Sequence, residues 1–161
     1  MVHLTGTVPA IPARPRSAPV VVVASVTAIA AGAGHLAAGG QHLRESVGFA
    51  SFFFAVGLLQ IAFGAHVLRG RGAVPNAGAL LGMVGLVLLY VYSRAVAVPL
   101  RPFTDGPEAL DPLGLLVVGC ELAAAVALAV ILPGPVRRRL AKGLLVAGGT
   151  LWLLWFFVAL A

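Results

Sequence analysis

Apolar residues in this 161-residue chain gather into five runs of about twenty, separated by short segments that hold nearly all of its charge. The runs extend from Ala18 to Ala38, Phe49 to Leu68, Val74 to Val98, Leu113 to Leu132 and Leu140 to Ala161. A helix rises about 1.5 Å per residue, so each run matches the ~30 Å hydrocarbon core of a bilayer. Barrel strands would be shorter and alternate with period two, and backbone in lipid must satisfy its own hydrogen bonds. The pattern predicts an all-α integral membrane bundle of five transmembrane helices over residues 18–161. Residues 1–17, rich in proline, read as a flexible tail.

Charge between the runs sets an orientation. If the tail is cytoplasmic and every run crosses once, Arg14, Arg16, Arg69, Arg71, Arg137, Arg138, Arg139 and Lys142 face the cytoplasm, eight of the eleven Lys and Arg. Arg44, Arg94 and Arg101 fall outside, with Glu45, Asp105, Glu108 and Asp111. Basic residues near span ends favour the cytoplasm and acids carry little weight, so the expected topology is N-in, C-out. Four crossings would place a basic and an acidic loop on one side. Arg14, Arg16 and the small residues from Ala30 to Gly34 also suit a cleaved signal peptide, but a first run of twenty-one residues exceeds an ordinary signal core.

Composition narrows the class. With 60% apolar and 10% charged residues, and a mean hydropathy of +1.04, the chain has too few polar groups to coat a globule in water. Its net charge of +6 needs no nucleic acid, because the excess sits in short loops beside anionic headgroups. The expected partner is the bilayer, with a homo-oligomer or a larger membrane complex open. One cysteine, Cys120 in the fourth run, allows no internal disulfide and reads as a small buried hydrophobe. Ten Arg against one Lys, with abundant Ala, Val and Gly, suggests a GC-rich bacterial genome and hence a bacterial plasma membrane.

Polar groups inside a span need a reason, since a charged one costs about 2.5–3.5 kcal/mol on insertion scales. His35, Gln60, Arg94 and Glu121 stand in the runs, all in the outer half or near the midplane when depth is counted along each helix. Arg94 is expected to reach Glu121 across the third and fourth spans, with Gln60 and His35 nearby. The pair either fixes helix register or belongs to a site.

His35, His42 and Glu45 form a second constellation. Seven residues put the two histidines on one helical face but about 10 Å apart, too far to share a metal on an unbroken helix. A break at Gly39 and Gly40 would fold His42 and Glu45 back over the bundle mouth, where the three could hold a divalent metal or a histidine could ligate haem. His66 lies near the cytoplasmic end of the second run. No cofactor is otherwise implied: the chain has no phosphate-binding glycine loop, CxxC, HExxH or G-x-S-x-G. Packing faces are expected at Ala24, Ala28 and Gly32, at Gly78 and Gly82, and at Gly143 and Ala147, where small residues recur every four positions. Trp152, Trp155, Phe156 and Phe157 suit an outer interfacial belt.

Taken together, His35, His42 and Glu45, then Phe53, Phe54 and Gln60, then Ser93-Arg94 preceded by Tyr90 and Tyr92, then Glu121 resemble a group of small uncharacterised multi-pass membrane proteins common in actinobacteria. The likeness covers roughly residues 30–125, with Ala97 where that group has glycine. It implies membrane location and attaches no reaction. The expected function is a non-enzymatic plasma-membrane protein, an accessory or small-solute transport-related one, organised around His35, Gln60, Arg94 and Glu121. The alternative is a metal- or haem-handling protein using His35, His42 and Glu45. An intramembrane enzyme is disfavoured because no nucleophile with a base is visible.

Overall fold

The computed structural model describes residues 18–70, 72–95 and 107–160, without the side chains of 154–156 and 158–160. The tail at 1–17, most of the loop at 99–112 and the side chains of Trp155 and Phe156 lie outside the described residues. The described elements are five helices: α1 (Ala18–His42), α2 (Val47–Leu68), α3 (Ala73–Ala95), α4 (Pro112–Ile131) and α5 (Gly134–Leu160). The first four are long and apolar enough to cross a membrane, as the length of their apolar runs requires.

Local chemistry sets the helix ends. Ser46, in extended conformation, caps α2 by accepting from the Phe49 amide at 3.3 Å. Gly70 takes φ of +69° just beyond α2, where the left-handed backbone lets the Arg69 and Gly70 amides bond back to the last turn. Asp111 caps α4 by accepting from the Gly114 amide, and Pro112 begins that helix where an amide proton is dispensable. Leu132 is extended because Pro133 follows it, and α4 therefore stops.

Two boundaries depart from expectation. Helix α1 does not break at Gly39 and Gly40 but continues to His42. A Cβ at Gly39 would stand 2.9 Å from the Phe54 ring, so this glycine allows close approach of α2 and is no hinge. Helix α5 starts at Gly134, which draws Arg137, Arg138, Arg139 and Lys142 into its first turns.

Helix α1 lies between α2 and α4, α3 packs on α4, and α2 scarcely touches α3. The inward stripe of α1 runs through Ala24, Ala28, Ala31, His35 and Gly39, a three-and-four spacing that keeps one face toward its neighbours. Facing it, α2 presents Gly57 and Gly64, where added Cβ atoms would meet the backbone oxygens of Gly32 and Ser25 at 2.7 and 2.8 Å. The expected face at Ala24, Ala28 and Gly32 is thus buried, but those at Gly78 and Gly82 and at Gly143 and Ala147 are exposed. Helix α3 turns Asn76, Ala79, Leu80 and Met83 inward instead. Helix α5 rests on the core through Val136 and Leu140, and residues 141–153 are exposed throughout. One end of the four-helix bundle, around Ala28, Val67, Leu80 and Leu128, is mainly apolar core, with Ser25 and Asn76 buried in it.

Candidate functional site: a buried polar hub beneath an aromatic cavity

Toward the other end of the bundle, the inward stripes carry polar residues. His35 of α1, Gln60 of α2 and Glu121 of α4 each occupy a position flanked along its own helix by small or apolar inward residues, so forming the bundle brings them together. Glu121 Oε1 lies 2.9 Å from His35 Nε2 and accepts from Gln60 Nε2 at 2.8 Å. Met83 of α3 completes the group, with its sulfur 3.4 Å from Gln60 Nε2. Glu121 is 1% exposed, Gln60 3% and His35 8%. Isolated charge at such depth is costly, and pairing reduces the cost. Gln60 Oε1 is buried without a hydrogen-bond partner.

Arg94 does not join this hub. Its Nη1 pairs with Glu108, its Nη2 donates to Asp111 at 2.9 Å, and its Cζ stands 4.3 Å from the centre of the Tyr90 ring. The reason is depth: Arg94 ends α3 beside the segment 107–111, while Glu121 lies nine residues inside α4, about 13 Å further down. That segment is fastened again by the Glu108 amide, which donates to the Ser93 carbonyl at 2.9 Å. Asp111 therefore caps α4 with one oxygen and ties it to α3 with the other. Arg94→Ala is expected to lower stability by about 1–2 kcal/mol, the range for a partly exposed charge-assisted pair. Amide exchange across 108–114 should accelerate in the same variant; unchanged protection there would remove the clip from the account.

His42 forms a separate pair, Nδ1 to Glu45 Oε2 at 2.7 Å. Its ring stacks on Phe53 at 5.3 Å, and His35 lies tilted against the same phenyl ring at 5.7 Å. Phe53 thus contacts both imidazoles, and the three expected ligands are divided, His42 pairing with Glu45 and His35 with Glu121 instead. Among the described residues no three His, Cys, Asp or Glu side chains group as metal ligands. His66 belongs to the last turn of α2, at the opposite end of that helix.

Above the hub lies a cavity of about 920 Å³. His35 and Glu121 line its lower part, Phe49, Phe52 and Phe53 one wall, Leu86, Leu89 and Tyr90 another, and Glu45, Arg94, Glu108 and Asp111 its rim. Because α2 and α3 scarcely touch, the cavity has an apolar seam between them, marked by the partly exposed Phe52 and Leu89. Sequence reasoning missed this aromatic wall and the partners of Arg94. Two signals were present: Phe49, Phe52 and Phe53 at helical spacing, and Tyr90 four residues before Arg94 on one face. Comparison of the chain with protein-family models, with curated proteins and with solved structures finds no match to any of them.

Proposed function

We propose that this is a multi-pass protein of a bacterial plasma membrane, crossing five times in an N-in, C-out sense, that holds a small solute in the cavity lined by the first four helices. It acts as a carrier or as a solute-binding accessory subunit, without chemistry of its own. The observation that carries the reading is the cavity itself: its volume suits a small molecule, its walls are mainly apolar and aromatic, and a few polar groups converge at its base. Packed core fills the opposite end of the bundle, so the space does not continue beyond the hub. Intramembrane ionisable groups facing a cavity mark ligand or ion paths more often than scaffolding.

Orientation follows from charge. Arg69 and the basic first turns of α5 lie at the solid end, while Glu45, Glu108 and Asp111 surround the mouth. Basic residues favour the cytoplasmic side, so the mouth opens outward. The resemblance to small actinobacterial multi-pass proteins agrees with this location.

The test is thermal unfolding of the detergent-purified chain against a panel of small cationic, neutral and anionic solutes. Ligand at a hundred times its Kd stabilises by about 2.7 kcal/mol, enough for a shift of several degrees. Some solutes are expected to raise the midpoint of the wild type but not of Ala38→Trp, which fills the cavity from α1. If no solute separates the two proteins, the reading fails.

A further inference from the structure

We infer that the first turns of α5 bind the headgroup of an anionic phospholipid, whose acyl chains lie along the outward side of that helix. The inference needs the membrane location but not the solute cavity. Arg137, Arg138, Arg139 and Lys142 fall within six residues, all of them exposed. No side-chain carboxylate answers them. The chain has five acidic residues: Glu121 is in the hub, Glu45, Glu108 and Asp111 surround the mouth at the other end of the bundle, and Asp105 belongs to the connection between α3 and α4. Residues 1–17 contain no acid, and Arg69 and Arg71 add cations beyond the end of α2. The positive charge beside α5 therefore has no counterpart anywhere in the sequence at this end.

The cluster also stands where the protein alone disfavours it. The positive end of the helix dipole lies at the start of α5, whose first turn holds no acid, and basic residues there are unfavourable. Arg137 turns aside and donates to the Ala129 carbonyl near the end of α4 at 3.4 Å. Arg138 and Arg139 lie four and three residues before Lys142, so these three share one side of the helix, and like charges at that spacing repel. A phosphate relieves both penalties, and guanidinium groups match its oxygens with paired hydrogen bonds. At about 100° per residue, this side is turned away from Val136 and Leu140, through which α5 meets the core. It continues through Leu145, Val146, Gly149 and Leu153, all exposed, an apolar track for acyl chains directly above the cations. Orientation in the membrane asks for basic residues at this end, but not for three on one side beneath such a track. A second copy seated there about an axis along the membrane normal would set like charges against like.

Trp152 and Trp155, the two tryptophans of the chain, both belong to α5, so their fluorescence reports the lipid beside it. The full chain is reconstituted in bilayers of fixed phosphatidylglycerol and phosphatidylcholine content, in which one lipid or the other carries bromine near the ends of its acyl chains. Quenching is expected to show the anionic lipid enriched about fivefold or more beside α5. The combined Arg138→Gln, Arg139→Gln and Lys142→Gln variant should fall to parity. Removing three charges elsewhere, by Arg14→Gln, Arg16→Gln and Arg69→Gln, should leave the enrichment in place. Should the first triple variant not fold, Arg139→Gln and Lys142→Gln taken singly should each lower the enrichment about twofold. Inorganic phosphate, at an ionic strength matched with chloride, should not displace the lipid. Equal quenching by the two lipids, or an enrichment indifferent to the α5 substitutions, would overturn the site. Displacement by inorganic phosphate would make the ligand a free anion, and quenching by neither lipid would make the cover a second copy; either result overturns the lipid assignment.

Discussion

Replacing Glu121 by alanine is expected to destabilise the bundle by about 2–4 kcal/mol, whereas Glu121→Gln should cost less than half as much. Alanine leaves a void and removes the acceptor shared by His35 and Gln60, and each buried donor left unsatisfied costs about 1–3 kcal/mol. Glutamine keeps an oxygen at nearly the same place, so Gln60 retains its bond and the hub loses chiefly the charge. The total stays below that of a stranded ion pair because the adjoining cavity can admit water. The measurement is reversible unfolding in mixed micelles, extended to a cycle with His35→Leu. Residues that share a hydrogen bond couple by about 0.5–3 kcal/mol, so Glu121→Ala should be milder in the His35→Leu background. Strict additivity of the two losses would show that the hub contributes nothing as a unit.

The spans were legible because a bilayer imposes one length and one solvent on every crossing. Four described helices match four of the expected runs to within a few residues, and the largest error among those four has a cause. Gln41 and His42 do not read as apolar, and two adjacent glycines resemble a stop, yet α1 continues because Phe54 of α2 fills the space beside Gly39. Depth along the helices was enough to place His35, Gln60 and Glu121 at compatible heights. It could not assign partners to Arg94, since Glu108 and Asp111 lie on an irregular segment that folds against the end of α3, and irregular backbone leaves no periodic trace.

Which small residues pack was legible only in part. Spacing alone treated Gly78 and Gly82 of α3 as equal to Gly32 of α1, but a span has several faces and a chain this rich in Gly and Ala offers small residues on most of them. A second cue orients the helix: the polar residue that lipid rejects must face inward. On α2 that residue is Gln60, with Gly57 three positions before it and Gly64 four after, which places all three on one face. The same cue selects Val117 and Ala124 beside Glu121 on α4 and Gly32 and Gly39 around His35 on α1. Read in that way, the polar hub and the helix contacts are one pattern, in which each buried polar group marks the face that its small neighbours allow to approach.

That pattern makes Gly57, like Gly32 opposite it, a sensitive apolar position. Gly57→Ala is expected to lower stability by about 2–3 kcal/mol even though alanine is favoured over glycine in a helix by about 1 kcal/mol. The new methyl would stand 2.7 Å from the Gly32 carbonyl oxygen and 2.9 Å from Leu36. Leu36 can change rotamer, but the Gly32 oxygen is backbone, so α1 and α2 must separate along their length. Overpacking of this kind costs about 1–3 kcal/mol, and here it also draws Gln60, one turn away, from Glu121. Gly82→Ala provides the control, since a Cβ there meets nothing within 4 Å; only helix propensity changes, and the variant should match or slightly exceed the wild type. Thermal unfolding of both in one detergent decides the matter. Equal midpoints for the two variants would mean that α1 and α2 do not approach as closely as Gly32 and Gly57 require, whereas a loss confined to Gly57→Ala would locate the contact that holds the hub in register.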